Sequence, residues 1–188
     1  MRRTISLIVG LSLLLASCSS SDANTENKTF RFYAPGGKTV ITYDDNERQP
    51  IPNFTGEDLL DPNKTISLSD FDGQVVVLNA WGQWCGPCRT ETDDLQEVQE
   101  AIVNRGGTVL GINVRDYNIS QPQDWVKDNG LTYPNIYDPP FKTATVLGGL
   151  PASVVPTTIV LDKQHRPAAV FLQEITAKQL LEVVEPLL

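Results

Sequence analysis

Four consecutive apolar residues, Val75 to Leu78, run through Asn79-Ala80 into Trp81-Gly82-Gln83-Trp84-Cys85-Gly86-Pro87-Cys88, and an amphipathic pattern follows at once. An unbroken apolar run of strand length marks a strand buried on both faces, which confines it to the middle of a sheet covered by other layers. Leu95, Val98, Ala101 and Ile102 then recur at helical spacing, and Asn104 to Gly107 carries the stop signals. A buried strand therefore feeds straight into a helix, and two cysteines sit where that helix begins.

The rest of the chain supplies the layers. Val109–Val114 reads as a second buried strand, and 121–129 as a helix stopped by Gly130. Tyr137 marks a short strand region and 141–147 another helix. Thr157–Leu161 is a strand, 162–166 its turn and Ala168–Leu172 its antiparallel partner, after which Thr176 caps a last helix through Val184. Upstream, Ile66-Ser67-Leu68 reads as a strand, and 44–64 as an irregular lead-in with short strands anchored by Ile51, Phe54, Leu59 and Leu60. Residues 30–45, with Pro35-Gly36-Gly37 between two β-prone stretches, predict a β-hairpin extension. The expected fold class is α/β: one domain over 46–188 with a central mixed sheet flanked by helices.

The N-terminus carries a different message. Arg2 and Arg3 precede an apolar run from Ile5 to Ala16, then Ser17 and Cys18. Charged, apolar, small is the order of a secretion signal, and the run falls short of the ~20 residues a spanning helix needs. Leu15-Ala16-Ser17-Cys18 resembles a bacterial lipobox, which implies removal of 1–17 and lipidation of Cys18. Residues 18–29 are too polar to bury and read as a flexible tether. Loss of Arg2 and Arg3 takes the formal charge from −8 to −10. Such an acidic chain repels phosphate backbones and anionic lipid, so nucleic acid is excluded and membrane contact falls to the lipid anchor.

With Cys18 spent on lipid, two cysteines remain, spaced C-x-x-C. In an exported protein a single close pair points to redox work rather than a structural framework. A helix start offers unpaired N–H groups that hold a thiolate on Cys85, the attacking species in disulfide exchange. Cys88, one turn on, resolves the mixed disulfide. Pro87 has no N–H to leave unsatisfied in the first turn, and Gly86 leaves room for a partner chain.

The segment from Asn79 to Glu91 resembles the active-site stretch of the thioredoxin superfamily, and most closely its TlpA/ResA/DsbE-like branch of exported redox proteins. The likeness runs from about Pro52 to the end and includes 66–73 and Val155-Pro156-Thr157-Thr158. It implies that Pro156 is cis and that Val155 pairs with a substrate's extended chain beside the cysteines. It implies that Trp84 flanks that surface, while Trp81 packs nearby. Where cytoplasmic thioredoxins carry a buried Asp, this chain has Asn79, which cannot carry a proton. The branch instead has an acid three residues after the second cysteine, here Glu91. Glu91 then either takes the Cys88 proton or is a solvated first-turn acid complementing the dipole. Arg89 and Asp93-Asp94 read as a solvated face.

Hydrolytic cysteine chemistry needs a base, and the lone His165 lies in a turn, expected exposed and idle. Two thiols and one distant histidine fall short of a zinc site, so no metal and no cofactor is implied. The rival class is copper delivery through the two thiolates. Together these features predict a monomeric, lipid-anchored oxidoreductase facing the extracytoplasmic side. Its partners are protein thiols or disulfides and a membrane redox partner that recycles it. Oxidative folding and cytochrome c maturation both remain open as pathways.

Overall fold

The structure, a computed structural model, describes residues 29–188. The signal at 1–17, the Cys18 lipidation and the tether up to 28 lie outside the described residues. Eight strands form one sheet in the order β1-β8-β7-β4-β5-β6-β2-β3. They are β1 (Val40–Thr42), β2 (Thr55–Asp58), β3 (Thr65–Ser67), β4 (Val75–Trp81), β5 (Gly107–Asn113), β6 (Asn135–Tyr137), β7 (Thr157–Leu161) and β8 (Pro167–Phe171). The helices are α1 (Gly86–Thr90), α2 (Thr92–Ile102), α3 (Ser120–Asp128) and α4 (Ala177–Val184).

The apolar run lies where its composition requires. β4 is buried at all seven positions, pairing β5 in parallel and β7 antiparallel. Successive side chains of a strand point to opposite faces. Val75 and Val77 therefore meet Leu95, Val98 and Ile102 of α2 and Leu180 and Val184 of α4. Val76, Leu78 and Ala80 enter the other layer, with Phe30, Ile41, Phe54, Phe141 and Leu147. The same alternation places Asn79 and Trp81 on the helical face. The steps β4 to β5 and β5 to β6 cross the sheet in one direction. Right-handed crossovers then put α1, α2 and α3 on one face, and Val126 of α3 indeed packs with Trp81, Cys85 and Cys88.

Three expectations need correction. Residues 30–45 do not form the expected hairpin. β1 pairs with β8, Val40 opposite Phe171, while Phe30 and Phe32 donate backbone N–H groups to Pro50 and Gly148. An isolated two-stranded ribbon buries too little to hold itself, whereas this arrangement takes Phe30 and Ile41 into the core. The expected helix over 141–147 is a 3-10 segment, Lys142–Val146, capped by the buried Asp138, which accepts from the backbone of Lys142 and Thr143. The cysteine helix is not continuous. It breaks at Glu91 between α1 and α2, where the Thr92 hydroxyl donates to the Cys88 carbonyl at 3.0 Å, a back-bond that bends helices.

Candidate active site

β4 ends at Trp81, whose indole N–H is held by Asn135 Oδ1 of β6 at 2.8 Å. Gly111 of β5 lies between Asn79 and Asn135 in register, and a Cβ there would stand 1.8 Å from Asn135 Oδ1. Gly111→Ala is expected to displace Asn135 and Trp81 and to lower stability by about 2–3 kcal/mol in urea unfolding. A change under about 0.5 kcal/mol would show that the strands yield freely.

Beyond β4 the chain turns through 82–84. Gln83 donates its backbone N–H to the buried Asp116 at 2.8 Å, and Trp84 donates its indole N–H to the Val114 carbonyl at 3.0 Å. The Trp84 ring is 46% exposed, and the Arg115 guanidinium lies 5.6 Å from its centroid, a cation–π contact. Sequence reasoning missed Asp116 and Arg115, which sit past the end of β5, some thirty residues from the cysteines in sequence.

Cys85 is the N-cap of α1 and is joined to Cys88 by a disulfide. Its sulfur accepts from the Cys88 backbone N–H at 3.2 Å. Because α1 has only five residues before the break, this directed amide, rather than a long helix dipole, is the group placed to hold charge on Cys85. Cys85 is 4% and Cys88 3% exposed, while Trp84, Gly86 and Pro87 around them are open to solvent. Across from Cys85, the Val155 carbonyl lies 3.7 Å from its sulfur, and the Val155–Pro156 bond is cis. The resemblance-based grouping of Trp84, Gly86, Pro87, Val155 and Pro156 around Cys85 and Cys88 is thus found in space, bridging a sequence gap of some seventy residues.

Glu91 is not a solvated first-turn acid. It is fully buried; Oε1 accepts from Asn79 Nδ2 at 2.8 Å and Oε2 from the Ile175 backbone N–H at 3.2 Å. Burial raises its pKa from the usual 4.5 to about 7, overcoming the two hydrogen bonds that lower it, with smaller upward pushes from Glu174 and Asp94. A carboxyl poised near neutrality three residues after Cys88 can take or return a proton. Asn79, read from the sequence only as a missing acid, is its direct partner.

Asp94 and His165 also differ from expectation. Asp94 is not simply solvated: its carboxylate accepts from the Ala177 backbone N–H at 2.7 Å, closing an unpaired donor at the start of α4. His165 is not exposed; its side chain is 12% accessible, and its Nε2 lies 3.1 Å from the Phe71 carbonyl. It ties the β7–β8 turn to the segment between β3 and β4. Arg89 is exposed, as expected.

The chain resembles known proteins along most of its length. A family model described as AhpC/TSA family matches residues 48–166. The thiol-disulfide oxidoreductase ResA of Bacillus thuringiensis subsp. konkukian (strain 97-27) is 31% identical over 134 residues, covering 71% of this chain and 72% of that protein. A secreted thiol-disulfide isomerase from Corynebacterium glutamicum matches with a TM-score of 0.82 and 62% identity, covering 85% of this chain and 97% of that one. A DsbF homologue from Corynebacterium diphtheriae matches with a TM-score of 0.82 and 63% identity, covering 85% and 100%. The fold is thioredoxin-like, and the chain belongs to the AhpC/TSA family as a thiol–disulfide oxidoreductase.

Proposed function

We propose that the chain exchanges disulfides with protein substrates on the extracytoplasmic side of the membrane, held there by a lipid on Cys18. The observation that carries this reading is the position of Cys85, between exposed Trp84 and the Val155–Pro156 rim, with a buried acid, Glu91, three residues after Cys88. The secreted Corynebacterium glutamicum relative supports the location. Among the described residues no helix is long and apolar enough to cross a membrane.

In the reductive direction the steps are these. The Cys85 thiolate attacks one sulfur of the substrate disulfide, giving a mixed disulfide and a substrate thiolate. Cys88 then yields its proton to the Glu91 carboxylate and attacks the Cys85 sulfur. The Cys85–Cys88 disulfide forms and the second substrate thiolate leaves. Oxidation is the reverse: a substrate thiolate attacks Cys85, and the expelled Cys88 thiolate takes the proton from Glu91. The substrate's extended chain lies along Val155, as in strand addition.

Equilibration of the purified domain with glutathione reads the direction. A potential near −120 mV assigns oxidative folding, and one at or below about −270 mV assigns a reductive role such as cytochrome c maturation. A purified domain that neither reduces insulin nor oxidises a reduced protein would defeat the reading. For the anchor, the full chain should partition with membranes and its Cys18→Ala variant should not. Equal partitioning removes the lipid.

A further inference from the structure

The Glu91 carboxyl meets only donors: Asn79 Nδ2 and the Ile175 backbone N–H. That suits the carboxylate, which accepts and cannot donate. The carboxylic acid has an O–H, and nothing bonded to it here accepts one. Asn79, on β4 and fully buried, uses Nδ2 twice, toward Glu91 Oε1 at 2.8 Å and toward Thr158 Oγ1 of β7 at 3.0 Å. Its Oδ1 is buried with no hydrogen-bond partner. A lone buried carbonyl costs about 1–3 kcal/mol, so its persistence calls for a reason.

A half-turn of the carboxamide about its last side-chain bond gives Oδ1 partners when Glu91 is protonated, while Nδ2 takes over the unpartnered place. Oδ1 then takes the place of Nδ2, where it accepts from the Glu91 O–H and from the Thr158 hydroxyl, which switches from acceptor to donor. We propose that Asn79 is a positioning residue that turns its carboxamide over each time Glu91 gains or loses a proton, giving the buried acid a hydrogen-bond partner in both states. The orientation seen belongs to ionised Glu91. This rests on the proton-carrying role of Glu91 for its purpose, but not for its test. One proton arrives from Cys88 or returns to it, and no other atom is exchanged.

The other charged or titratable groups around Glu91 are Asp94 on α2, Glu174 before α4, and the buried Tyr133, besides the cysteine pair on α1. Asp94 and Glu174 are acids whose charge disfavours ionised Glu91, while Tyr133 stays a neutral phenol because burial raises its pKa. None of them is hydrogen-bonded to the carboxyl, which leaves Asn79 as the one side chain that can answer its change of state.

Magnetic resonance of the oxidised full-length domain tests this without reading activity. The Glu91 carboxyl carbon and the Asn79 side-chain amide are followed from about pH 4 to about pH 9, a span that brackets the acid. The amide signals should move with the midpoint of the carboxyl. In Asn79→Leu, or in Asn79→Ala if the first does not fold, both forms of Glu91 lose their partner, and only the excess strength of the charge-assisted bond to the carboxylate remains, so the Glu91 midpoint should rise by less than about one pH unit. Amide signals that stay flat through the Glu91 transition would overturn the proposal. So would a Glu91 midpoint that rises by well over about one unit in a folded variant, the mark of a fixed donor that serves the charged form alone. If the two titrate together while Glu91→Gln leaves exchange rates intact, the coupled pair stands and the catalytic role of Glu91 falls.

Discussion

Cys85→Ser is expected to reduce insulin reduction and thiol oxidation by the purified domain to the rate seen without protein. A serine hydroxyl at this position stays protonated, and no electron pair on it displaces a sulfur at neutral pH. The Cys88 thiol does not replace it, because it is the Cys85 sulfur that lies at the Val155 rim, 3.7 Å from that carbonyl. Cys88→Ser is expected to behave differently. Its Cys85 still attacks and then waits, so a stable mixed disulfide with substrate should accumulate and appear on a non-reducing gel. Trapping by Cys85→Ser instead, with none by Cys88→Ser, would reverse the assignment of attacking and resolving sulfurs.

Glu91→Gln should produce the second large effect, in rate and in stability together. Without a carboxyl, Cys88 must lose its proton to water, and the resolving step should slow by roughly 100-fold at neutral pH. Stability of the oxidised form follows from linkage. The native carboxyl titrates at about 7 and the unfolded one at 4.5, so between those values the native state binds more protons. Its stability therefore falls as pH rises through that window and levels off above it. The full loss is on the order of 3 kcal/mol. The Gln variant should show no such slope. Urea unfolding of the oxidised forms at several pH values measures this. Parallel profiles for parent and variant would show that Glu91 titrates normally.

How much of this was legible beforehand depends on how local each cause is. Val75–Leu78 announced a central strand because apolar side chains on both faces leave no other place for it. The helix start at Cys85 was legible because its signals lie within a few residues, and Thr176 with Gln179 formed the capping box their spacing allows. The hairpin expected at 30–45 does not form, because β-prone residues do not specify which strand they pair with. Ile41 found its partner in Val170, far along the chain. Glu91 was ambiguous for the same reason. Its neighbours in sequence made it a surface acid, and its neighbours in space, Asn79 and Ile175, made it a buried one.

The amino-acid order by itself determined the element sequence, the buried central strand, the thiol pair at a helix start and the resemblance of the segment from Asn79 to Glu91. These rest on periodicity, capping and turn chemistry, which act over a few residues. Only the tertiary structure decided the rest. It bent the cysteine helix at Glu91, brought Val155 to 3.7 Å from Cys85, and sealed a carboxyl between β4 and the segment before α4. Desolvation and hydrogen bonding depend on what surrounds a group, and a sheet assembles that surrounding from strands distant in the chain.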